Sequence, residues 1–323
     1  MKAALYTKYG PPDVIQIMEV EKPVPKDNEV LIRVHAASVN PYDWHFMRGM
    51  PYPLRIAAGF RKPKDTRLGN DVAGQVETVG KNITQFKTGD AVFGVCKGAF
   101  AEYACARESA LALKPANVSF KLAAAVPIAG FTALQAIRSM RNAPPVQKVL
   151  INGASGGVGT FAVQIAKCFG AEVTAVCSTR NEDLVKSIGA DKVIDYTQND
   201  FTKGCKRYDL ILDCIGNHSL WACSRVLNPR GTYAQIGGPT GRMMTSFAAR
   251  FVAMAVLSRV VSRNFVVVGA KLSTEDLSFL NDLMRSGKVT PVLDRSYKLN
   301  ELPEAMRYVE GGHARGKVVI TLE

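Results

Sequence analysis

Residues 150–170 read Leu-Ile-Asn-Gly-Ala-Ser-Gly-Gly-Val-Gly-Thr-Phe-Ala-Val-Gln-Ile-Ala-Lys-Cys-Phe-Gly. The stretch begins as an apolar strand, continues as a glycine-rich turn and ends as a helix with apolar residues at helical spacing. Glycines let a backbone approach a pyrophosphate, and the amide groups at a helix N-terminus favour that anion. Ala154 stands where the usual fingerprint has its first glycine. The pattern still predicts a dinucleotide site, with turn residues Ser155, Gly156, Gly157, Val158 and Gly159.

The end of the next predicted strand, Glu172–Cys177, indicates which dinucleotide is bound. In NAD-binding folds, an acidic residue about 20 residues past the glycines holds the ribose hydroxyls. Cys177 stands at that point, and Ser178, Thr179 and Arg180 follow it. Two hydroxyls and a guanidinium favour a bound phosphate, so the pattern favours NADPH over NADH. The alternative is that Ser178 and Thr179 only cap the predicted helix Glu182–Ile188.

Three further strands are predicted in the middle of the chain, at Lys192–Tyr196, Tyr208–Cys214 and Thr232–Ile236. Helical segments separate them, and the last two strands run into Ile215-Gly216 and Gly237-Gly238. Strands that alternate with helices form parallel, doubly wound sheets, which bind ligands at the carboxyl edge. We therefore predict an α/β dinucleotide-binding domain.

Composition narrows the class of protein. The 323 residues suffice for two domains, and 47% hydrophobic residues are ample for a core. The net charge of +13 suits nucleic acid or an anionic membrane, but the basic residues are spread along the chain and no nucleic-acid motif is present. Seven cysteines without a CxxC pair suit neither a zinc site nor a disulfide framework. No signal peptide or membrane-spanning run is visible, so we expect a soluble, cytoplasmic enzyme.

The flanks of the chain have β character. Six short strands separated by glycine and proline turns are predicted before residue 120, and β character returns after Gly287, at Pro291–Leu293 and Lys317–Leu322. The six strands are Ala3–Tyr6, Val14–Val20, Glu29–Ser38, Asp71–Val79, Ala91–Val95 and Ala101–Cys105. Phe265–Gly269 is predicted to be a sixth strand of the middle domain, and Thr274–Arg285 an amphipathic helix. The predicted organisation is a β domain formed by residues 1–121 and 287–323, interrupted by a nucleotide domain of residues 122–286.

Six ordered segments resemble the medium-chain dehydrogenase/reductase superfamily, over essentially the whole chain. They are the glycine turn and residues 39–43, 68–74, 89–94, 99–103 and 127–133. The zinc-free quinone oxidoreductase branch fits best, especially bacterial and chloroplast-envelope quinone-oxidoreductase-like proteins. The resemblance implies a GroES-like β domain plus a Rossmann domain with a doubly wound parallel sheet. It also implies a small-molecule substrate; we expect a monomer or homodimer.

The chain departs from zinc-dependent members of that superfamily at the metal ligands. Those members carry a cysteine where Asn40 stands, a His-Glu pair at Asn70-Asp71, and a second cysteine at Ile128. Catalytic zinc needs three protein ligands and an open position, so we predict no metal. Without a Lewis acid, hydride addition to a quinone or to the β-carbon of an enone is favoured over ketone reduction.

Hydrogen-bond donors are then needed to stabilise the enolate oxygen. The loop expected to line the cleft offers five candidate catalytic residues, namely Asn40, Tyr42, Asp43, His45 and Tyr52. Each has a plain structural alternative: Tyr42 is a core residue, Asp43 caps the predicted helix Trp44–Arg48, or His45 lies on the surface.

The resemblance also implies cofactor contacts outside the glycine turn. Thr132 corresponds to the residue at the nicotinamide end, and Tyr196 to an aromatic residue near the adenosine phosphate. The strand ends Cys214, Ile215, Gly216, Ile236, Gly237 and Gly238 border the cofactor's path. Two other functions stay open, an NAD(P)-dependent alcohol dehydrogenase and a nucleotide-binding relative without turnover.

The segment Gly241–Asn264 is the least typical of the family, because all of its charges are arginines within an apolar run. Arg250 and Arg259 interrupt that run, so it does not span a bilayer. Three interpretations remain: a helix buried against the nucleotide domain, an apolar cap over the substrate pocket, or a peripheral contact with an anionic membrane. We predict a helix that mostly shields the cleft.

Overall fold

A computed structural model describes residues 1–139, 147–237 and 247–322, with the backbone alone for residues 247–252. Its strands are β1 (Lys2–Tyr6), β2 (Ile15–Glu19), β3 (Glu29–Val39), β4 (Asp71–Val79), β5 (Ala91–Val95), β6 (Tyr103–Arg107), β7 (Leu111–Leu113), β8 (Lys148–Asn152), β9 (Glu172–Cys177), β10 (Lys192–Asp195), β11 (Tyr208–Asp213), β12 (Leu227–Gln235), β13 (Asn264–Val267), β14 (Leu293–Lys298) and β15 (Lys317–Thr321). Its α-helices are α1 (Pro41–Arg48), α2 (Leu54–Ala58), α3 (Phe120–Ala124), α4 (Pro127–Arg138), α5 (Gly157–Cys168), α6 (Glu182–Ser187), α7 (Leu220–Arg225), α8 (Phe247–Val260), α9 (Thr274–Arg285) and α10 (Leu302–Glu310).

The chain divides into two compact units. A β unit comprises Met1–Phe131 and Leu272–Glu323, and a nucleotide unit comprises Thr132–Lys271. The sequence predicts different boundaries, at residues 121 and 286. Helix α9 belongs to the β unit because it packs on β7 and because the Thr274 hydroxyl donates to Ser109 O, at 2.8 Å. Periodicity identifies a helix but not the surface that covers its apolar face.

The β unit is built on a sheet with the strand order β14-β15-β3-β4-β5-β7, with β6 also paired to β3. Strand β3 lies at the centre, where Val30, Ile32 and Val34 are buried. Antiparallel pairing sets Ser38 opposite Asp71 on β4, and Val39 opposite Val318 on β15. This register brings the ends of three strands together, and all three carry polar residues there.

The nucleotide unit has a parallel sheet with the order β10-β9-β8-β11-β12-β13. The predicted doubly wound α/β fold is therefore confirmed. The first strand, β8, lies between β9 and β11, so the direction of winding reverses there and leaves a crevice at the carboxyl edge. Ligands of such sheets bind at this reversal, where β8 ends in Asn152 and β11 in Asp213.

Most predicted elements are present, with ends shifted by one or a few residues. The predicted strand Asp71–Val79 and helix Thr274–Arg285 match the structure. The strand predicted at Pro291–Leu293 instead begins at Leu293, as β14. Strand β7 was not predicted. Helix α8 confirms a helix within the segment Gly241–Asn264, and its Met254 packs in the core of the nucleotide unit with Ala253 and Leu257. Gly241 and the five residues after it lie outside the described residues.

Candidate active site and dinucleotide turn

The glycine turn of the nucleotide unit forms a tight backbone cradle. Helix α5 begins at Gly157 directly after the extended residue Gly156. A side chain at Gly159 would overlap the carbonyl oxygen of Gly153, so only glycine allows α5 to start this close to β8. A twelve-residue helix then directs its first amide groups toward the turn. These residues fit a dinucleotide pyrophosphate, as the sequence predicts.

A buried carboxylate, Asp213, organises the carboxyl edge beside this turn. Its side chain accepts hydrogen bonds from Asn152 Nδ2 at 2.9 Å and from the backbone amides of Ile215 and Gly216 at 3.0 and 2.8 Å. The Tyr233 hydroxyl donates to its other oxygen. The turn Cys214–Gly216 is therefore held rigidly. Sequence reasoning missed Asp213, although a lone carboxylate ending an apolar strand is a usable signal.

The turn after β12 lies against the same edge. A side chain at Gly237 would overlap the carbonyl oxygen of Cys214, so the two turns approach each other backbone to backbone. Ile236 donates its amide to Asp213 O at 2.9 Å. Gly238 lies outside the described residues. The predicted cofactor residues at these two strand ends thus share one edge of the sheet.

A second carboxylate, Asp195, lies beside the predicted phosphate site. The Thr179 hydroxyl donates to Asp195 Oδ2, and Thr197 donates to Oδ1 from its amide and its hydroxyl. The hydrogen bond from Thr179 is the main cause of a lowered pKa for Asp195, so this carboxyl is charged at neutral pH. The Thr179 proton is thereby committed to a carboxylate, which differs from the expectation that both hydroxyls are offered to a phosphate.

Asn181 joins the glycine turn to the end of β9. Its amide nitrogen lies 3.0 Å from Ser155 Oγ and 3.2 Å from Ser178 Oγ, and the side chain is buried. Arg180 and Tyr196 are exposed, and Tyr196 donates its amide to Cys177 O at 3.0 Å. Thr132 lies on α4, apart from this group in the sequence, and is buried. Asn181 is a further residue that sequence reasoning missed.

The β unit contains a buried polar cluster of Ser38, Asn40, Asp43, Asp71 and Lys317. Asp71 accepts hydrogen bonds from Ser38 Oγ at 2.7 Å, from Asn40 Nδ2 at 2.8 Å and from the amide of Ile128 at 3.0 Å. Lys317 comes from β15 and donates to Asn40 Oδ1 at 2.6 Å, with its ammonium 3.6 Å from Asp71 Oδ2. One buried cation therefore faces Asp71 and orients the Asn40 amide.

Asp43 is fixed at the start of α1 in the same cluster. It accepts hydrogen bonds from the backbone amide of Asn40 at 2.8 Å and from Asn70 Nδ2 at 3.1 Å. Asp43 therefore caps a helix, which was the structural alternative to a catalytic role. That helix begins at Pro41 and not at the predicted Trp44. Burial raises the pKa of Asp43 to about 7, with a smaller contribution from the charge of Asp71. Burial also lowers the pKa of Lys317.

The remaining catalytic candidates differ in their capacity to donate a proton. His45 Nδ1 lies 2.9 Å from the Met50 carbonyl oxygen and must carry its proton there, so the neutral ring offers only an acceptor at Nε2. Burial lowers the pKa of His45, which disfavours the imidazolium. Tyr42 and Tyr52 are exposed phenols, and burial of part of the ring raises the pKa of Tyr42. The tyrosines are therefore the better donors.

The residues at the three zinc-ligand positions do not fit a zinc ion. Asn40 directs its amide nitrogen at Asp71 and its oxygen at an ammonium, and Asn70 donates to Asp43. Ile128 offers only an aliphatic side chain. A divalent cation here would face the Lys317 charge at close range, which is repulsive. In the described ranges no group of three or more His, Cys, Asp or Glu side chains is arranged to hold a metal.

Two family models match the chain. Residues 26–116 match the alcohol dehydrogenase GroES-like domain, and residues 188–320 match zinc-binding dehydrogenase. The second range includes none of the three positions where zinc-dependent members carry their ligands. The first match lies within the β unit, and the second runs from the nucleotide unit into the C-terminal part of the β unit.

Curated relatives and solved structures match over nearly the full length. The chain is 33% identical to a chloroplast envelope quinone oxidoreductase homolog of Arabidopsis thaliana, covering 99% of this chain and 98% of the relative. It is 34% identical to a 2-methylene-furan-3-one reductase of Solanum lycopersicum, with 99% and 79% coverage. The mycobacterial protein Rv1454c, solved with NADPH, superposes with a TM-score of 0.82 at 26% identity, covering 100% of each chain.

Among described residues, no helix has the length and apolarity to cross a membrane.

Proposed function

Because the chain belongs to the medium-chain dehydrogenase/reductase superfamily, with quinone oxidoreductases among its relatives, we propose that it is a zinc-independent, NADPH-dependent reductase of quinones or α,β-unsaturated carbonyls. The observation that carries the proposal is the cluster around Asp71. At the positions where zinc-dependent members carry their metal ligands, the Asn40 side-chain amide donates to Asp71 and accepts from the Lys317 ammonium. The Asn70 side-chain amide donates to Asp43. With no Lewis acid to polarise an isolated carbonyl, a conjugated acceptor is the substrate that needs least assistance.

The nucleotide unit supplies the residues that hold the cofactor. The α5 N-terminus and the glycine turn bind the pyrophosphate, and the turns after β11 and β12 border the ribose and nicotinamide. Ser178 and Arg180 bind the 2′-phosphate, with Tyr196 beside them. A bound nicotinamide supplies the hydride. The Rv1454c structure with NADPH supports this cofactor assignment, as does the absence of an acidic residue at Cys177.

The β unit supplies the proton and the hydrogen bonds to the substrate oxygen. Tyr42 follows Asn40 on the first turn of α1, and the Asn40–Asp43 hydrogen bond fixes that turn. Tyr42 keeps its proton at neutral pH, because burial raises its pKa from an already high value. We assign Tyr42 as the main donor and Tyr52 as an additional one. Asn40 and Asp43 are buried positioning residues. His45 Nε2 accepts a hydrogen bond and does not donate a proton.

Substrate reduction tests the proposal directly. Purified protein is mixed with NADPH and either 1,4-benzoquinone, a short-chain enal or an unconjugated ketone, and NADPH consumption is followed by absorbance. We expect turnover with the first two substrates and little with the third. Deuterated NADPH should place deuterium on the β-carbon of an enone. Deuterium on the carbonyl carbon would instead identify an alcohol dehydrogenase, and bound NADPH without any turnover a nucleotide-binding protein.

We propose that the protein is cytoplasmic and is a monomer or homodimer, as the sequence predicts. Relatives carry chloroplastic and mitochondrial names, so an organelle is the alternative location.

A further inference from the structure

Large apolar side chains protrude from one short stretch of the β unit. Ile56 and Phe60 are 78% and 79% exposed and lie four residues apart, in α2 and in the turn that follows it. Soluble proteins rarely leave several large apolar side chains exposed together unless the surface meets a partner. We call residues 52–64 the protruding loop.

The protruding loop is held in place by hydrogen bonds to its backbone. Lys64 donates its amide to Ala58 O at 2.8 Å, which closes the segment between them. The Tyr9 hydroxyl donates to Gly59 O at 2.6 Å, and Gly59 has a φ of 122°, which a residue with a side chain rarely adopts. Buried Pro63 anchors the far side of the loop. The backbone that carries Phe60 is therefore fixed in its exposed position.

The charge of this stretch has one sign. Between Trp44 and Lys64 the sequence has five Arg and Lys residues and no Asp or Glu. Arg48 pairs with Glu310, and the Arg55 guanidinium donates to Gly49 O at 2.9 Å, so both are engaged within the β unit. The other three cations, Arg61, Lys62 and Lys64, are exposed and follow Phe60 within four residues.

We propose that the protruding loop docks on an anionic lipid bilayer. Ile56 and Phe60 enter the boundary between headgroups and acyl chains, while Arg61, Lys62 and Lys64 bind the headgroup phosphates. Charge complementarity selects this partner, because a bilayer offers anions around an apolar interior, in the arrangement that the loop mirrors.

This surface is distinct from the segment 241–264, for which the sequence suggested a membrane contact. Met254 of α8 is buried in the core of the nucleotide unit, which engages one face of that helix. The protruding loop combines exposed apolar side chains and exposed cations on a fixed backbone. The proposal does not depend on the reductase activity, because it concerns lipid binding alone.

Co-sedimentation with vesicles tests the proposal. The full chain is mixed with vesicles of equal parts phosphatidylcholine and phosphatidylglycerol, or with pure phosphatidylcholine, in about 0.15 M salt. Two variants change the loop: Ile56→Ser with Phe60→Ser, and Arg61→Gln with Lys62→Gln and Lys64→Gln. We expect binding to the anionic vesicles only, a loss of roughly tenfold in the apolar variant, and a loss of roughly a hundredfold in the charge variant.

Two matched controls lie elsewhere on the surface. Val24→Ser changes another exposed apolar residue, and Lys87→Gln with Lys121→Gln and Lys203→Gln lowers the net charge by the same amount as the loop variant. Both controls should bind like the unmodified chain, and circular dichroism should show all variants folded. Equal losses in the two charge variants, or no vesicle binding by the unmodified chain, overturn the proposal. So does self-association on gel filtration that Ile56→Ser with Phe60→Ser abolishes, because the occupant is then a second copy.

Discussion

Replacing Lys317 by methionine tests the buried cluster most directly. Methionine nearly matches the length of the lysine chain and adds no bulk, so the substitution removes the charge without overpacking. Asp71 then loses its counter-ion and Asn40 Oδ1 loses its donor. Breaking a buried ion pair by removing one partner typically costs about 3–5 kcal/mol.

The geometry gives a similar magnitude. Unit charges 3.6 Å apart attract by about 5 kcal/mol at an effective dielectric constant of about 20.

Tryptophan fluorescence can follow the β unit alone. The chain has two tryptophans, with Trp44 buried in the β unit and Trp221 exposed in the nucleotide unit. In a Trp221→Phe background, urea unfolding followed through Trp44 should show a deficit of about 3–5 kcal/mol for Lys317→Met at pH 7.5. Lys81→Met, which breaks an exposed pair with Asp27, should cost less than about 1 kcal/mol.

The double variant separates charge pairing from packing. Lys317→Met with Asp71→Asn removes both charges at nearly constant side-chain size. The new amide nitrogen can donate to Ser38 Oγ and, once the Asn40 side-chain amide turns over, to Asn40 Oδ1, so the double variant should recover at least half of the lost stability. The reasoning is refuted if Lys317→Met costs no more than Lys81→Met, or if the double variant is as destabilised as Lys317→Met alone.

Four further outcomes are expected. Arg180→Ala should weaken NADPH by about ten- to a hundredfold and leave NADH nearly unchanged in a fluorescence titration, because a charge-assisted pair with the 2′-phosphate contributes about 1.5–3 kcal/mol; equal affinity of the unmodified protein for both cofactors contradicts this. Elemental analysis of untagged protein should find far less than one zinc per chain, and chelators should leave activity intact; stoichiometric zinc means that the Asn40 site has been misinterpreted. Asp43 has a folded pKa raised to about 7, so the stability it contributes is full below about pH 4 and is lost as the pH rises through 7; the difference in unfolding free energy between the unmodified protein and Asp43→Asn should therefore change between pH 5 and pH 8, and a constant difference refutes the assignment. Tyr42→Phe should lower kcat by about a hundredfold or more while His45→Gln lowers it less, as expected if the phenol is the proton donor; the reverse order makes the imidazole the donor.

Periodic patterns in the sequence predict the parts of this fold whose residues are close in the chain. The turn Ser155–Gly159 can be predicted from the sequence, because strand, glycines and helix follow one another within about twenty residues. The helix Thr274–Arg285 is equally clear from its apolar spacing. Its assignment to the β unit was missed, since contacts of Thr274 with Ser109 join residues 165 positions apart.

Two carboxylates of the nucleotide unit also depend on contacts between residues that are far apart in the sequence. Asp195 and Asp213 both end strands of the nucleotide unit, and each accepts from one donor that only the folded sheet brings near, Thr179 for Asp195 and Asn152 for Asp213. In the sequence, the absence of an acid at Cys177 favours NADPH. In the structure, Asp195 lies on the adjacent strand and takes the proton of Thr179. Under the proposed cofactor assignment, selectivity for the 2′-phosphate depends chiefly on Arg180, which makes Arg180 the better residue to substitute.

The cluster around Asp71 could not have been predicted from motif positions, because its cation comes from the opposite end of the chain. Lys317 lies 277 residues from Asn40 and reaches it only through the pairing of β15 with β3. In the sequence, Asn40, Asn70 and Ile128 mark only the loss of metal ligands. In the fold, the same positions belong to a hydrogen-bonded network. The Lys317 ammonium orients the Asn40 side chain, and the Asn40 backbone amide donates to Asp43, which fixes the first turn of α1. At the positions of the metal ligands the chain thus has a hydrogen-bonded network that fixes the first turn of α1. Under the proposed function this turn carries the proton donor Tyr42, so the proposed chemistry and the stability of the β unit depend on the same residues.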